Sequence, residues 1–278
     1  MPVAPPDTVR QLRRDADTVV ALETPEPFFG VGQWYRAFSP VTEEQVRVLL
    51  QARAPTSGDR TLTLRTIDFA VDDVALTGEL SVPVNARGLV VFAHGSGSSR
   101  RSPRNRRVAQ VLQDDGVATL LFDLLTAREE YDRANVFDVA LLGDRLVTVT
   151  RRIAADRDLR SLPVGYFGAS TGAAAALWAA GTPSNPIRAI VSRGGRPDLA
   201  GPRLWRVQAP TLLLVGGADD AVLTLNRRAA AQLRCEHQLK VIPGATHLFA
   251  EPGALDVVAA EACRWFRHHF APRVRSIG

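Results

Sequence analysis

The chain has 278 residues, enough to bury a large core, and its length suits one main domain with room for an appendage. The formal charge is +5, but nearly all the excess is arginine spread along the chain, with Lys240 the one lysine; without a basic stripe interleaved with aromatics, nucleic acid is excluded as a partner. Cys235 and Cys263 have neither C-x-x-C spacing nor the number for a disulfide framework, the N-terminus lacks an apolar signal core, and no apolar run is long enough to span a membrane, so a soluble cytoplasmic protein is expected.

Residues 1–55 form an N-terminal extension distinct from the 56–278 domain that follows. The extension is Pro-rich at its start, with a helix expected over 8–22 and a second over 42–52. From residue 61, alternation through Leu62, Leu64, Thr66 and Asp68, and again through Val74, Leu76, Gly78 and Leu80, predicts two strands joined by a hairpin at Asp72-Asp73. The continuous apolar run Leu89-Val90-Val91-Phe92-Ala93 is the mark of a parallel strand covered on both faces. Thereafter helix and strand signals alternate. Strands are expected at 118–122, 164–167, 187–192, 211–215 and 239–242, with helices at 104–114, 138–152, after Ser170, at 225–234 and at 255–270. The pattern predicts an α/β fold: a doubly wound, mostly parallel sheet with an antiparallel start and no room for a large cap.

The central motif is Gly168-Ala169-Ser170-Thr171-Gly172, between the apolar run Gly165-Tyr166-Phe167 and the Ala-rich run Ala173-Ala174-Ala175-Ala176-Leu177-Trp178. Strand, tight turn, helix is the context that raises a serine hydroxyl clear of a sheet edge, with glycines where a Cβ would collide. The first amides of the following helix add orphan N–H groups and partial positive charge, which suits a developing oxyanion.

The partners of such a serine belong at the carboxyl ends of other strands. Asp219 and Asp220 follow the strand at 211–215; Asp219 fits the Gly-x-x-Asp-x-x-Val spacing from Gly216 to Val222 and is preferred as the acid, with Asp220 as a solvated turn carboxylate. His247 follows the last strand in Gly244-Ala245-Thr246-His247 and is the one histidine placed for general-base work. The order Ser, Asp, His is the one that this architecture uses. His94-Gly95-Ser96-Gly97 ends the third strand, so the backbone N–H groups of Ser96 and Thr171 are assigned as oxyanion donors and His94 as a structural hydrogen-bonding residue. Arg100, Arg101, Arg193 and Arg196 border the cleft as candidate groups for anionic substrates. No cluster has metal-ligand spacing, and neither metal nor other cofactor is expected.

Residues 60–270 resemble the dienelactone hydrolase family of the α/β-hydrolase superfamily, through His94-Gly95-Ser96-Gly97, Gly168-Ala169-Ser170-Thr171-Gly172, Asp219 and Gly244-Ala245-Thr246-His247. Dienelactone hydrolases proper carry cysteine at the elbow; Ser170 points instead to a serine esterase or related acyl hydrolase, acting on an ester, lactone or thioester. Within the extension, Val3-Ala4-Pro5-Pro6, Glu23-Thr24-Pro25-Glu26-Pro27 and Gly32-Gln33-Trp34-Tyr35 resemble the C-terminal tail of phosphoribosyltransferases that occur fused ahead of such hydrolases. Asp114-Asp115-Gly116-Val117-Ala118-Thr119 opens like that family's phosphate loop but runs on into the strand Leu120-Leu121-Phe122, without a Gly/Thr cradle. Two competing readings are acyl transfer to an acceptor other than water, and a non-catalytic scaffold whose extension, with Phe28, Phe29, Trp34 and Tyr35, docks onto a phosphoribosyltransferase partner. A homodimer is the remaining partner expectation.

Overall fold

The structure is a computed structural model describing residues 3–15, 18–26, 62–185 and 187–271. It divides into two compact units, Met1–Gly58 and Asp59–Gly278. In the first, helix α1 (Pro6–Asp15) begins on a proline, whose missing N–H costs nothing at that position, and places Asp7 in its first turn and Arg13 and Arg14 in its last, each matching the helix dipole. Val3 forms a parallel bridge to Glu23, and Val3, Ala4 and Val9 are buried. The helix expected over 8–22 is therefore shorter, since 18–22 lie outside any helix. The helix expected over 42–52, Phe28, Phe29 and Gly32-Gln33-Trp34-Tyr35 lie outside the described residues.

The second unit is built on an eight-stranded sheet. Its strands are β1 (Leu62–Val71), β2 (Val74–Pro83), β3 (Leu89–Ala93), β4 (Ala118–Phe122), β5 (Val164–Ala169), β6 (Ile187–Arg193), β7 (Thr211–Gly216) and β8 (His237–Ile242), in the order β1-β2-β4-β3-β5-β6-β7-β8. β1 and β2 are antiparallel, as is the β2–β4 pair, and the rest are parallel. Helices α2 (Pro103–Asp114) and α7 (Ala254–Phe270) cover one face, over Val90, Phe92, Phe167 and Val191. Helices α4 (Val139–Ala155) and α5 (Thr171–Ala180) cover the other, over Val91, Tyr166 and Ile190. The short α3 (Arg133–Phe137) precedes α4, and α6 (Asp220–Ala230) follows β7. The central strands β3, β4, β5 and β7 are buried at every position, which is why each reads as an uninterrupted apolar run.

Three local features show how the sequence pattern is realised. In β1 the alternating set Leu62 and Leu64 is the outer one, Leu64 being 70% exposed, while Phe69 and Val71 point into the core. The two-residue Asp72-Asp73 hairpin, with Asp72 at φ 49°, pairs Phe69 with Leu76, and strand periodicity then sends Leu62 and Leu64 outward. Helix α6 starts five residues before the expected 225, because the Asp219 side chain caps it by accepting from Val222 N–H. The run Asp114-Asp115-Gly116 is the end of α2 and a turn, and β4 follows it fully buried; Asp115 forms ion pairs with Arg87 and Arg267.

Past β4, the loop at Leu124-Leu125 is pinned from α4. Arg145, with its side chain 5% exposed, donates from Nη1 to the Leu124 carbonyl at 3.0 Å and makes a two-pronged ion pair with Glu129 at 2.9 and 2.6 Å. The Arg145 hydrogen bonds hold Glu129 down to a pKa of about 2 from its ordinary 4.5. A depressed carboxylate pKa contributes stability that is present above 4.5 and disappears as pH falls towards 2. Glu129→Gln is expected to cost about 2 kcal/mol at pH 7 and to flatten the pH dependence of the urea midpoint between pH 5 and about 2. Parallel wild-type and variant curves would contradict this.

Candidate active site

Ser170 sits between the end of β5 and the first residue of α5 with φ 52° and ψ −120°, a conformation that a non-glycine residue adopts only when its surroundings hold it there. Two glycines make the turn possible. A Cβ on Gly168 would lie 2.4 Å from Ala173 Cα, and one on Gly172 would lie 2.2 Å from the Ala93 carbonyl oxygen. The Ser170 N–H donates to the Arg193 carbonyl at 3.1 Å, and the Ser170 carbonyl accepts from Arg196 N–H at 3.1 Å, so β6 and the loop after it clamp the serine from one side.

His247 arrives from the loop after β8. Its Nε2 lies 3.3 Å from Ser170 Oγ, and its Nδ1 lies 2.7 Å from Asp219 Oδ2. With Asp219 accepting from Nδ1–H, Nε2 is left bare to accept the serine proton. Asp219 uses both oxygens: Oδ2 takes the imidazole, and Oδ1 caps α6. The carboxylate is therefore fixed by the helix it starts. Asp220, the first residue of α6, is exposed. The serine–histidine distance is longer than the histidine–aspartate one, as is common where no substrate is bound.

His94 spends both ring nitrogens on the scaffold. Nδ1–H donates to the Gly95 carbonyl at 3.0 Å and Nε2 accepts from Leu124 N–H at 3.0 Å, while burial holds its pKa below 6.5 and the ring neutral. The imidazole thus ties the β3 loop to the β4 loop. The Ser96 N–H points into the elbow and donates to the Thr171 hydroxyl at 2.8 Å. The Thr171 N–H, as the first amide of α5, has no helical acceptor. Of the two assigned oxyanion donors, then, one is occupied in the resting protein by the neighbouring residue's own side chain.

The arginines divide. Arg100 is engaged by Asp123, through both backbone and guanidinium, and by Glu79. Arg196 makes a two-pronged pair with Asp198 at 2.9 and 2.8 Å. Arg193, at the carboxyl end of β6, is buried, and neither its Nε nor its Nη1 has a hydrogen-bond partner; burial, with the charge of Arg104, lowers its pKa to about 10. It stays charged at neutral pH.

Sequence reasoning missed the Thr171 side chain, the Arg145 staple and Asn226. The last is fully buried in α6 and donates to the Gly195 carbonyl at 2.9 Å, steadying the loop that holds Ser170. A buried asparagine facing inward from a helix was the available signal. Among the described residues, Glu236, His268 and His269 also bring potential metal ligands within 4.8 Å of one another, at the opposite end of the sheet from Ser170.

A sheet in this order, with an antiparallel hairpin and a serine elbow after β5, defines an α/β hydrolase. The chain is similar to the dienelactone hydrolase of Anabaena variabilis ATCC 29413, at 51% identity and a TM-score of 0.72, covering 75% of this chain and 98% of that one. It belongs to the dienelactone hydrolase-like family of α/β hydrolases. Est1E from Butyrivibrio proteoclasticus shares the fold at 18% identity, with a TM-score of 0.64 over 74% of this chain and 99% of that one. The Mycobacterium tuberculosis (strain ATCC 25618 / H37Rv) protein named "Putative phosphoribosyl transferase Rv0571c" is 52% identical over 97% of this chain, which spans 63% of that relative's length. No family model matches the chain. Among the described residues, no helix is long and apolar enough to cross a membrane.

The Ser96–Thr171 contact yields a direct test. With Ser96 N–H assigned as an oxyanion donor, replacing Thr171 by isosteric valine removes the acceptor that would compete with a substrate carbonyl for it. One neutral hydrogen bond in the balance predicts a rise in kcat/KM of about two- to tenfold. A fall of tenfold or more would show instead that the hydroxyl assists the reaction.

Proposed function

We propose that the chain is a serine hydrolase that cleaves an ester, lactone or thioester of a small substrate through an acyl-enzyme intermediate. The observation that carries this is the hydrogen-bonded line from Ser170 Oγ through His247 to Asp219, at 3.3 and 2.7 Å, on an elbow with a positive φ. Ser170 Oγ attacks the carbonyl carbon while its proton passes to His247 Nε2. Asp219 keeps Nδ1 protonated and balances the imidazolium charge. The tetrahedral oxygen is taken up by the Thr171 N–H and by the Ser96 N–H, which exchanges the Thr171 hydroxyl for the stronger, charged acceptor. Collapse breaks the bond to the leaving group, which departs with the proton from Nε2. Water then attacks the acyl carbon, gives a proton to Nε2, and Ser170 recovers it as the acid leaves.

Arg193, buried and with Nε and Nη1 lacking hydrogen-bond partners among the described residues, is a source of positive potential at the carboxyl end of β6, whereas Arg100 and Arg196 are held by carboxylates and are weaker candidates for binding an anionic substrate. We assign this chemistry, and not phosphoribosyl transfer, to the second unit, because the stretch that opens like a phosphate loop is a helix end, a turn and a buried strand.

With p-nitrophenyl acetate and butyrate as substrates and a fluorophosphonate as covalent probe, the purified protein is expected to turn over and to label. Ser170→Ala is expected to lose labelling and at least a thousandfold in kcat, as loss of a nucleophile does in serine hydrolases. A folded wild-type protein that neither turns over nor labels would overturn the reading in favour of a scaffold.

A further inference from the structure

The sheet order places Asp219 and His247 on one side of Ser170, after β7 and β8, and the loops after β3 and β4 on the other. The leaving group must collect its proton from His247 Nε2 and therefore faces the β7–β8 side. The acyl portion then extends towards the β3 and β4 loops. There a cavity of about 160 Å³ opens beside Ser96 and Thr171, walled by Leu124, Leu125, Val136 and Leu142. Leu124, Leu125 and Leu142 are almost wholly buried, and the loop carrying the first two is fixed by His94 and Arg145. The wall is therefore set before substrate arrives. At the rim stands Glu130, the one charged residue among the described residues that line the cavity, His94 being neutral.

We propose that this cavity is the acyl site and that it selects a short, uncharged acyl chain of about five non-hydrogen atoms, taking roughly 30 Å³ for each. The inference rests on the serine hydrolase reading above. Leucine and valine walls offer an aliphatic chain no polar partner to lose, and a longer chain meets the body of α4. Glu130 sets the charge preference. Burial, with Asp123 nearby, already raises its pKa above 4.5, so an anion at the far end of the acyl chain would add to the same repulsion. A cleft bordered by arginines suggests anionic substrates from sequence alone. The acyl side of the site is instead apolar with an acidic rim.

The test is a chain-length series of p-nitrophenyl esters from acetate to decanoate, with pentanoyl and glutaryl thioesters of N-acetylcysteamine as a pair in which a carboxylate replaces the terminal methyl, the part of their ratio that Glu130→Gln changes being the charge effect. Wild type is expected to peak at butyrate or pentanoate and to fall at least tenfold at decanoate, since one methylene too many in such a pocket changes kcat/KM by roughly 10- to 200-fold. It is also expected to prefer pentanoyl over glutaryl at least tenfold, and Glu130→Gln to narrow that ratio. Leu142→Ala enlarges the cavity and moves the optimum to longer chains. Val136→Phe, on the short half-exposed α3 where folding is less at stake, fills it and moves the optimum to acetate. Chain-length profiles that stay the same in both folded variants would overturn the acyl-site assignment, as would equal rates for the thioester pair. Fluorophosphonate labelling of each protein separates the two failures: labelling with an unmoved profile refutes the pocket alone, and a wild type that does not label refutes the hydrolase reading beneath it.

Discussion

The structure depends on holding Ser170 in a backbone conformation that costs about 1–3 kcal/mol and persists only where its neighbours over-determine it. Those neighbours come from four places. The carbonyls of Ala93 and His94 crowd Gly172, the first turn of α5 crowds Gly168, β6 accepts the Ser170 N–H through Arg193, and the loop after β6 donates back through Arg196. None of these groups can move without the parallel strands β3, β5 and β6, which are hydrogen-bonded side by side at the centre of the sheet. The strain at one residue is thus held by the central strands of the sheet.

Around that fixed point the loops divide the chemistry. Those after β7 and β8 carry Asp219 and His247, the pair proposed to handle the proton, and Asp219 is held in place because one of its oxygens starts α6. Those after β3 and β4 carry the Ser96 amide, proposed as an oxyanion donor, and the walls of a small cavity, joined by the neutral imidazole of His94. The Glu129–Arg145 pair reaches the same β4 loop from α4. Each side is braced by its own polar contacts.

Much of this was legible in the residues. Strands buried on both faces announce themselves as apolar runs, and the expected bounds 89–93 and 118–122 coincide with β3 and β4. The elbow, Asp219 and His247 each follow a strand, and the structure brings the three side chains together. What did not show was whatever depends on side-chain contacts between distant segments. Spacing cannot reveal that Thr171 Oγ1 engages Ser96 N–H 75 positions away, nor that Arg100 is taken by Asp123 and Glu79 while Arg193 Nε and Nη1 have no partner among the described residues. The alternation through Leu62 and Leu64 marks β1 as a strand without saying which face is buried, and the hairpin register turns that set outward. Helix α6 was placed late because its cap, Asp219, had been read only for its catalytic role.

The most direct test is to look for the covalent intermediate. Protein mixed with p-nitrophenyl butyrate and quenched in acid within the first turnover should show a butyryl mass increment on the peptide that contains Ser170, and the increment should be absent in Ser170→Ala. Ester hydrolysis at wild-type rate without that adduct, and surviving in Ser170→Ala, would contradict a nucleophilic role for Ser170.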